Sequence, residues 1–312
     1  MQMRVDIAIV SYNTRDHLRA CLESVHRSVP RDRIARVIVV DNCSGDGSAE
    51  MVRASFPWVT LVAMEENIGF GPGNNRAIAA GDAPLILFLN SDAETRPDTV
   101  EVLARFLEDN PDCVIVGPRL EYPDGRFQPS LRNFPTPWRN FWSATGLEAR
   151  FGDRFPRWRN WLSEEAHGQA GTIQMVSGAC FMARRLYLES IGLFDESLFM
   201  YEEEADISIP ATRQGREVCS CPEAVAVHHG GASIQAGDLT AFSAFHLYRS
   251  KYIVFRKHYG AIAARLTYVT DQVLCSLSWL KNSRRARGRQ SAALRRQSKK
   301  AWRSARQARL GR

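Results

Sequence analysis

No C-x-x-C pair occurs among the seven cysteines of this 312-residue chain; the nearest two are Cys219 and Cys221. Disulfide scaffolds and zinc ribbons need other spacings, so the thiols are expected to stay reduced, in a cytosolic setting. No 18 uninterrupted apolar residues occur either: the best candidate, 261–280, contains Arg265 and Asp271, which argues against a spanning helix. Residues 1–10 have no cleavage site and carry Asp6, so they read as a strand and not as a secretory leader. The first strand-to-helix turn, Ser11-Tyr12-Asn13-Thr14, lacks the glycines of a dinucleotide fingerprint, which sets a nicotinamide dehydrogenase aside. Acidic residues are absent from 281–312, where 13 Lys and Arg stand alone. The remaining 28 basic and 34 acidic residues leave 1–280 mildly acidic, so the formal charge of +7 belongs to the tail.

What is present is ordinary for a folded protein. A hydrophobic fraction of 45% and a charged fraction of 24% exclude a disordered or fibrous chain. The length suffices for one large domain or two small ones. Over the first 120 residues two periods alternate. Apolar runs at 5–10, 36–40, 59–63, 84–89 and 113–116 read as strands, and 15–28, 48–55, 76–80 and 98–108 as helices. Near-continuous apolar strands separated by helices predict an α/β fold with a parallel sheet covered on both faces.

Ligands of such sheets sit beyond the carboxyl ends of the strands. Polar clusters fall there: Ser11-Tyr12-Asn13, Asp41-Asn42 and Asn90-Ser91-Asp92. They predict one composite pocket. Residues 120–172 break the pattern with Pro, Arg and four of the seven tryptophans (Trp138, Trp142, Trp158, Trp161), predicting a long excursion with its own apolar cluster, or a lobe facing an acceptor or a membrane. A helix near 184–191, a second opened by Glu202-Glu203-Glu204-Ala205-Asp206, and a last strand at 224–227 follow. No internal repeat is visible.

Asp46 and Ser48 cap a helix start, but Asp41 sits at the strand end itself, where a carboxylate can accept bonds from a ribose or a base. The run Asn67-x-Gly69-Phe70-Gly71-x-Gly73-Asn74-Asn75 is either a plain turn or a close backbone approach to a ligand. Asp92 either caps a turn or, beside a diphosphate, holds Mg²⁺ or Mn²⁺, which take oxygen ligands from one or two carboxylates plus phosphates. Glu203, Glu204 and Asp206 favour a helix start electrostatically. Facing a pocket, they would raise one another's pKa and suit a general base. His228-His229 after a strand can complete a metal site.

In this order these elements resemble the family-2 glycosyltransferases of GT-A fold, within them the bacterial rhamnosyltransferase-like branch. Matching residues run from Val10-Ser11-Tyr12-Asn13 through Val40-Asp41-Asn42, the Asn67–Asn75 run, Leu89-Asn90-Ser91-Asp92 and Val176-Ser177-Gly178-Ala179 to Phe194-Asp195-Glu196, Phe199-Met200-Tyr201-x-Glu203-Glu204-x-Asp206, His228-x-x-Gly231-x-Ser233 and Arg256-Lys257-His258-Tyr259-Gly260. The resemblance implies a Rossmann-like, mostly parallel sheet flanked by helices over 1–260, with 120–172 as an insertion on the acceptor side. It implies donor contacts at Ser11, Asn13, Asp41, Asn67, Gly69, Gly73, Asn74 and Asn90, and Mg²⁺ or Mn²⁺ at Asp92 and His228. Asn90 stands where a strict D-x-D would have Asp. The base position falls on Glu204, where relatives carry Asp, leaving Glu204, Glu203 and Asp206 as candidates. The implied activity is an inverting transfer of a sugar, L-rhamnose from dTDP-rhamnose, to a hydroxyl of a polysaccharide precursor on a polyprenyl diphosphate. A nucleotide-sugar-binding subunit without turnover is the alternative.

Residues 261–312 read as an amphipathic helix and a basic tail. Ile262, Leu266, Val269, Val273, Leu274 and Leu277 fall at helical spacing ahead of the 13 cations. That pattern suits an anionic bilayer surface, at about 1 kcal/mol per Lys or Arg near it, and predicts peripheral association with the inner face of the cytoplasmic membrane. A helical tail docked on the protein is the plainer alternative. RNA binding has little support, since aromatics interleaved with the cations are missing apart from Trp302.

Overall fold

The computed structural model describes residues 2–230, 240–282 and 286–308. Its strands are β1 (Val5–Ser11), β2 (Ile34–Asp41), β3 (Thr60–Ala63), β4 (Leu85–Leu89), β5 (Ala93–Thr95), β6 (Cys113–Glu121), β7 (Phe127–Gln128), β8 (Gly171–Ile173), β9 (Cys180–Arg184) and β10 (Glu217–His228). Its α-helices are α1 (Arg15–His26), α2 (Ser48–Ser55), α3 (Phe70–Ala79), α4 (Thr99–Asp109), α5 (Pro137–Ala144), α6 (Leu147–Phe151), α7 (Glu164–His167), α8 (Arg185–Ser190), α9 (Glu203–Arg213), α10 (Ala241–Asn282) and α11 (Ala286–Gln307).

One sheet runs in the order β3-β2-β1-β4-β9-β6-β10-β5, with β7 on β6 and β8 on β10. Period two explains how it is covered. Ile7, Ile9, Val37, Val39, Leu85 and Leu87 meet α1, α2 and α4 on one face. Their neighbours Ala8, Ile38, Val40, Ile86 and Phe88 meet α3, α8 and α9 on the other. Both faces are buried, which is why these strands read as unbroken apolar runs.

The expected parallel arrangement holds from β3 to β4. Beyond β4 the sheet is mixed, because β9 runs antiparallel to both β4 and β6, and β5 antiparallel to β10. Neither β5 nor β9 was expected. β5 has three residues, and β9 passes at Arg184 straight into α8 with no turn signal between. The expected strands at 113–116 and 224–227 are parts of the longer β6 and β10.

The glycine run is corrected too. Helix α3 begins at Phe70 and takes in Gly71, Pro72 and Gly73, where the sequence predicted a loop up to Arg76. Pro72 is tolerated in a first turn, and Gly73 lets the helix lie on β1: a Cβ there would stand 3.0 Å from Val10 Cγ1.

Helix α10 is broken at Gly260 (φ 88°, ψ 169°), where its second half begins. Before the break Tyr252, Ile253 and Val254 are core, packed with Ala301 and Ala305 of α11. Helix α11 folds back along α10, with Ser278 bonded to Ser291 and Tyr252 to Ser298, so the described part of the tail is docked. Within 120–172, Trp142, Phe155 and Trp158 form a ring cluster, the local apolar centre expected there. Among the described residues no helix is long and apolar enough to cross a membrane, and the seven cysteines are free.

Candidate active site

Beyond the carboxyl ends of β1, β2 and β4 opens a cleft of about 1120 Å³. Strand register sets what lies behind it, since Ser11 and Asp41 are buried and the lining falls on their neighbours Tyr12 and Asn42. Ser11 and Asp41 end β1 and β2 directly opposite each other. The buried Ser11 hydroxyl lies 3.0 Å from Thr14 Oγ1, which donates to Ser91 Oγ at 2.8 Å, tying the first strand end to the Asn90-Ser91-Asp92 turn. Asp41 accepts Ser44 N–H on Oδ2 (3.0 Å), while its buried Oδ1 has no partner. Asn13 (φ 53°) is exposed, accepts Gly45 N–H and donates its own N–H to Ser44, so it shapes the loop after β2. Asn67 accepts Gly69 N–H, and both line the cleft beside Asn90. Gly69 (φ 95°) is required, since a Cβ there would strike the Phe199 carbonyl. Gly73 and Asn74 point elsewhere: they lie inside α3, and Asn74 donates to Phe70 O.

Asp92 and His228 meet because β5 pairs with β10. Ala93 lies opposite His228, and His229 N–H donates to Asp92 O. His228 Nε2 then stands 3.3 Å from Asp92 Oδ1, while Nδ1 is 3.0 Å from Gln128 Oε1, an acceptor that fixes the proton on Nδ1. Two cis ligands of one octahedral ion with bonds near 2.1 Å lie about 3 Å apart, so the pair fits one divalent cation completed by phosphates and water. Among the described residues no group of three or more His, Cys, Asp or Glu could hold a metal without such help. His229 turns away to Glu94. Gly231 and Ser233 of the expected motif lie outside the described residues.

The acidic run lines the same cleft through Glu202, Glu203 and Glu204. Tyr201 and Glu202 are both left-handed (φ 71° and 68°), a strained approach to α9. Glu203 is buried, and Oε1 has no partner; burial, then the neighbouring Glu204 charge, pushes its carboxyl well above the usual range. Glu204 is also pushed up by burial, while the Arg132 charge and the Gly178 N–H work the other way. Gly178 admits it: a Cβ there would collide with Glu204 Oε1. Asp206 is placed apart from the cleft lining, gripped by Lys257 Nζ (2.9 Å) and His258 Nε2 (2.7 Å). Lys257 also bonds Asp195 at 2.9 Å, so the Lys257-His258 pair ties α10 to α9.

Arg132 lines the cleft without having been singled out, and Asn42 and Glu202, named only as parts of a strand-end cluster and of the acidic run, line it too. Each keeps a buried polar atom without a partner: Arg132 Nε, Glu202 Oε2 and Asn42 Oδ1. Such atoms are rare in folded proteins, and their gathering here marks a surface that awaits polar ligand groups. No sequence signal pointed to Arg132, which comes from the aperiodic excursion and lies 5.0 Å over Trp161.

The sequence profile described as Glycosyl transferase family 2 matches residues 6–192. The chain is 29% identical over 261 residues to the N-acetylglucosaminyl-diphospho-decaprenol L-rhamnosyltransferase of Mycobacterium tuberculosis, covering 79% of this chain and 82% of that one. Its fold is similar to that of GalNAc-T7 solved with UDP, GalNAc and Mn²⁺ (TM-score 0.60, 13% identity, 82% of this chain and 48% of that one). It is also similar to that of the mannosyltransferase PcManGT of Pyrobaculum calidifontis solved with GDP-Man and Mn²⁺ (TM-score 0.57, 15% identity, 94% and 74%). These likenesses give the fold, the GT-A type, with the helices α10 and α11 added at its C-terminal end.

Proposed function

The chain belongs to glycosyl transferase family 2, and we propose that it is an inverting hexosyltransferase moving L-rhamnose from dTDP-rhamnose to a hydroxyl of a polyprenyl-diphosphate-linked glycan precursor. It would work at the inner face of the bacterial cytoplasmic membrane, with 261–312 toward the anionic surface. The observation that carries this reading is a single cleft lined by both the Asp92–His228 pair and Glu202–Glu204. The sugar and the acceptor are taken from the mycobacterial relative, whose own name gives the transferred rhamnose and the lipid diphosphate, and the dTDP carrier from the family resemblance.

The unpartnered Asp41 Oδ1 and its neighbours Ser11 and Asn13 receive the donor's base and ribose. Asn67, Gly69 and Asn90 flank the diphosphate, and Gly73 and Asn74 seat the helix behind it. Asp92 and His228 would hold Mg²⁺ or Mn²⁺, which supplies positive charge against the leaving diphosphate. Glu204 takes the proton of the acceptor hydroxyl. The oxygen bonds to the anomeric carbon on the face opposite the diphosphate, and the bond from that carbon to the phosphate oxygen breaks as it forms. Arg132 supports the ionised form that a base needs, whereas burial favours the protonated form of Glu203. Orientation alone is worth roughly 7–11 kcal/mol in such a displacement.

Thermal shifts with dTDP, UDP and GDP, each with and without Mg²⁺ or Mn²⁺, test the donor side. The melting temperature is expected to rise with dTDP plus metal, by mass action, and Asp92→Asn to remove the metal-dependent part. No rise with any nucleotide would sink the reading.

A further inference from the structure

Arg132 lines the cleft with a guanidinium that the fold itself does not use. The residue is half-buried, and its buried Nε has no partner. Among the described residues its side chain makes no hydrogen bond or ion pair; it lies 5.0 Å over the Trp161 ring, and its charge bears on Glu204. Other partly buried arginines are saturated from within. Arg139 donates to the carbonyls of Phe134 and Arg157, and Arg185 to those of Ile78 and Ala83 and to Asp6. A cation drawn out of water without a partner is unfavourable, so the exception needs a ligand. The head is also held in place. Arg132 N–H donates to Met175 O at 2.9 Å, its backbone bridges to Trp161, and the indole supports the guanidinium plane.

Charge identifies the ligand. The cleft lining holds Asp92, Glu202, Glu203 and Glu204, and Arg132 is the one Lys or Arg among the described residues that line it. A transfer from a nucleotide sugar to a lipid-diphosphate sugar brings two diphosphates into this acidic space. A divalent ion on Asp92 and His228 would serve the donor's. Arg132 comes from the 120–172 excursion and not from the strand ends assigned to the nucleotide, and its electrostatic neighbour is the proposed base. A planar guanidinium fork matches two phosphate oxygens at once.

We propose that Arg132 binds the acceptor's diphosphate, donating two parallel N–H bonds to it while Glu204 takes the proton from a hydroxyl of the same acceptor. The cleft thereby selects a sugar borne on a diphosphate over the same sugar without one. This rests on the transferase reading and adds to it the part of the acceptor that is recognised.

Calorimetric titration of the full chain in EDTA with hexyl glucosyl diphosphate and with hexyl glucoside, which differ by the diphosphate alone, requires neither donor nor turnover. Wild type is expected to bind the diphosphate about tenfold or more tightly than the glucoside, the scale of charge-assisted bonds. Arg132→Gln should bring the two within roughly twofold of each other, and Arg132→Lys, which keeps the charge without the fork, should fall between. Both variants are expected to keep the wild-type melting temperature and the thermal shift with dTDP and Mn²⁺. A glutamine variant that retains the preference overturns the proposal, as does wild type that binds the two glycosides alike or not at all. Loss of the nucleotide shift in the glutamine variant overturns it too, by giving the arginine to the donor's diphosphate. Should that variant not fold, undiminished diphosphate affinity in the lysine variant has the same force. The nucleotide panel on wild type reports separately on the transferase reading, so the two failures are distinguishable.

Discussion

Two acidic walls line one cleft, and they are built by opposite means. Asp92 is paired, its Oδ1 3.3 Å from His228 Nε2, in a turn held by the register of Ala93 against His228. Glu202 and Glu203 each keep a buried carboxyl oxygen without a partner, where Tyr201 and Glu202 take left-handed backbone ahead of α9. The first wall offers a carboxylate oxygen and a ring nitrogen at a spacing that suits one cation. The second makes charge expensive, so it suits proton uptake and release. Asp206, in the same acidic run as Glu204, belongs to neither wall, because Lys257 and His258 neutralise it on the α10 side.

The strongest way to break this contrast is Glu204→Gln. Transfer is expected to fall about 10³-fold, within the usual worth of a positioned base, while the nucleotide-induced thermal shift stays as in wild type. A variant that still transfers at the wild-type rate would move the base to Glu203. Asp206→Asn sharpens the division between cleft and clamp. Urea unfolding should show a loss of about 3 kcal/mol, as for a buried pair stripped of one partner, with the nucleotide shift retained by the folded fraction. A large loss of nucleotide binding at full stability would instead put Asp206 in the site.

The smallest effect is expected from Glu203→Gln, and its sign is informative. A carboxyl raised in the folded state binds more protons folded than unfolded. Its contribution is therefore present below the unfolded value and is lost as pH rises through the folded one. Glutamine, neutral throughout, should flatten the decline in melting temperature from pH 5 upward. The variant should thus gain on wild type at pH 8 relative to pH 5. Parallel melting curves across that range would mean that Glu203 is not held protonated.

The two walls were not equally legible beforehand. Asp41 and Asp92 stood out because each is a polar residue at the end of an apolar strand, and strand ends are local features. The acidic run was visible too, but its division was not: Glu203 and Glu204 at the cleft, with Asp206 on Lys257 and His258, depends on where α10 packs. Arg132 gave no signal, since nothing periodic surrounds it. The Asn67–Asn75 run was half legible, because Asn67 and Gly69 line the cleft while Gly73 serves close packing of α3 on β1.

The sequence by itself determined the α/β class, the strand ends where the pocket opens, the amphipathic stretch 261–280 and the basic tail. All of these are short-range patterns of burial and charge along the chain. Only the tertiary structure decided that β9 and β5 enter the sheet antiparallel, that Asp92 meets His228, and that the 262–280 stripe faces outward while α11 covers the other side. Those facts depend on which distant segments become neighbours, and local periodicity carries the burial of a residue without naming the partner that buries it.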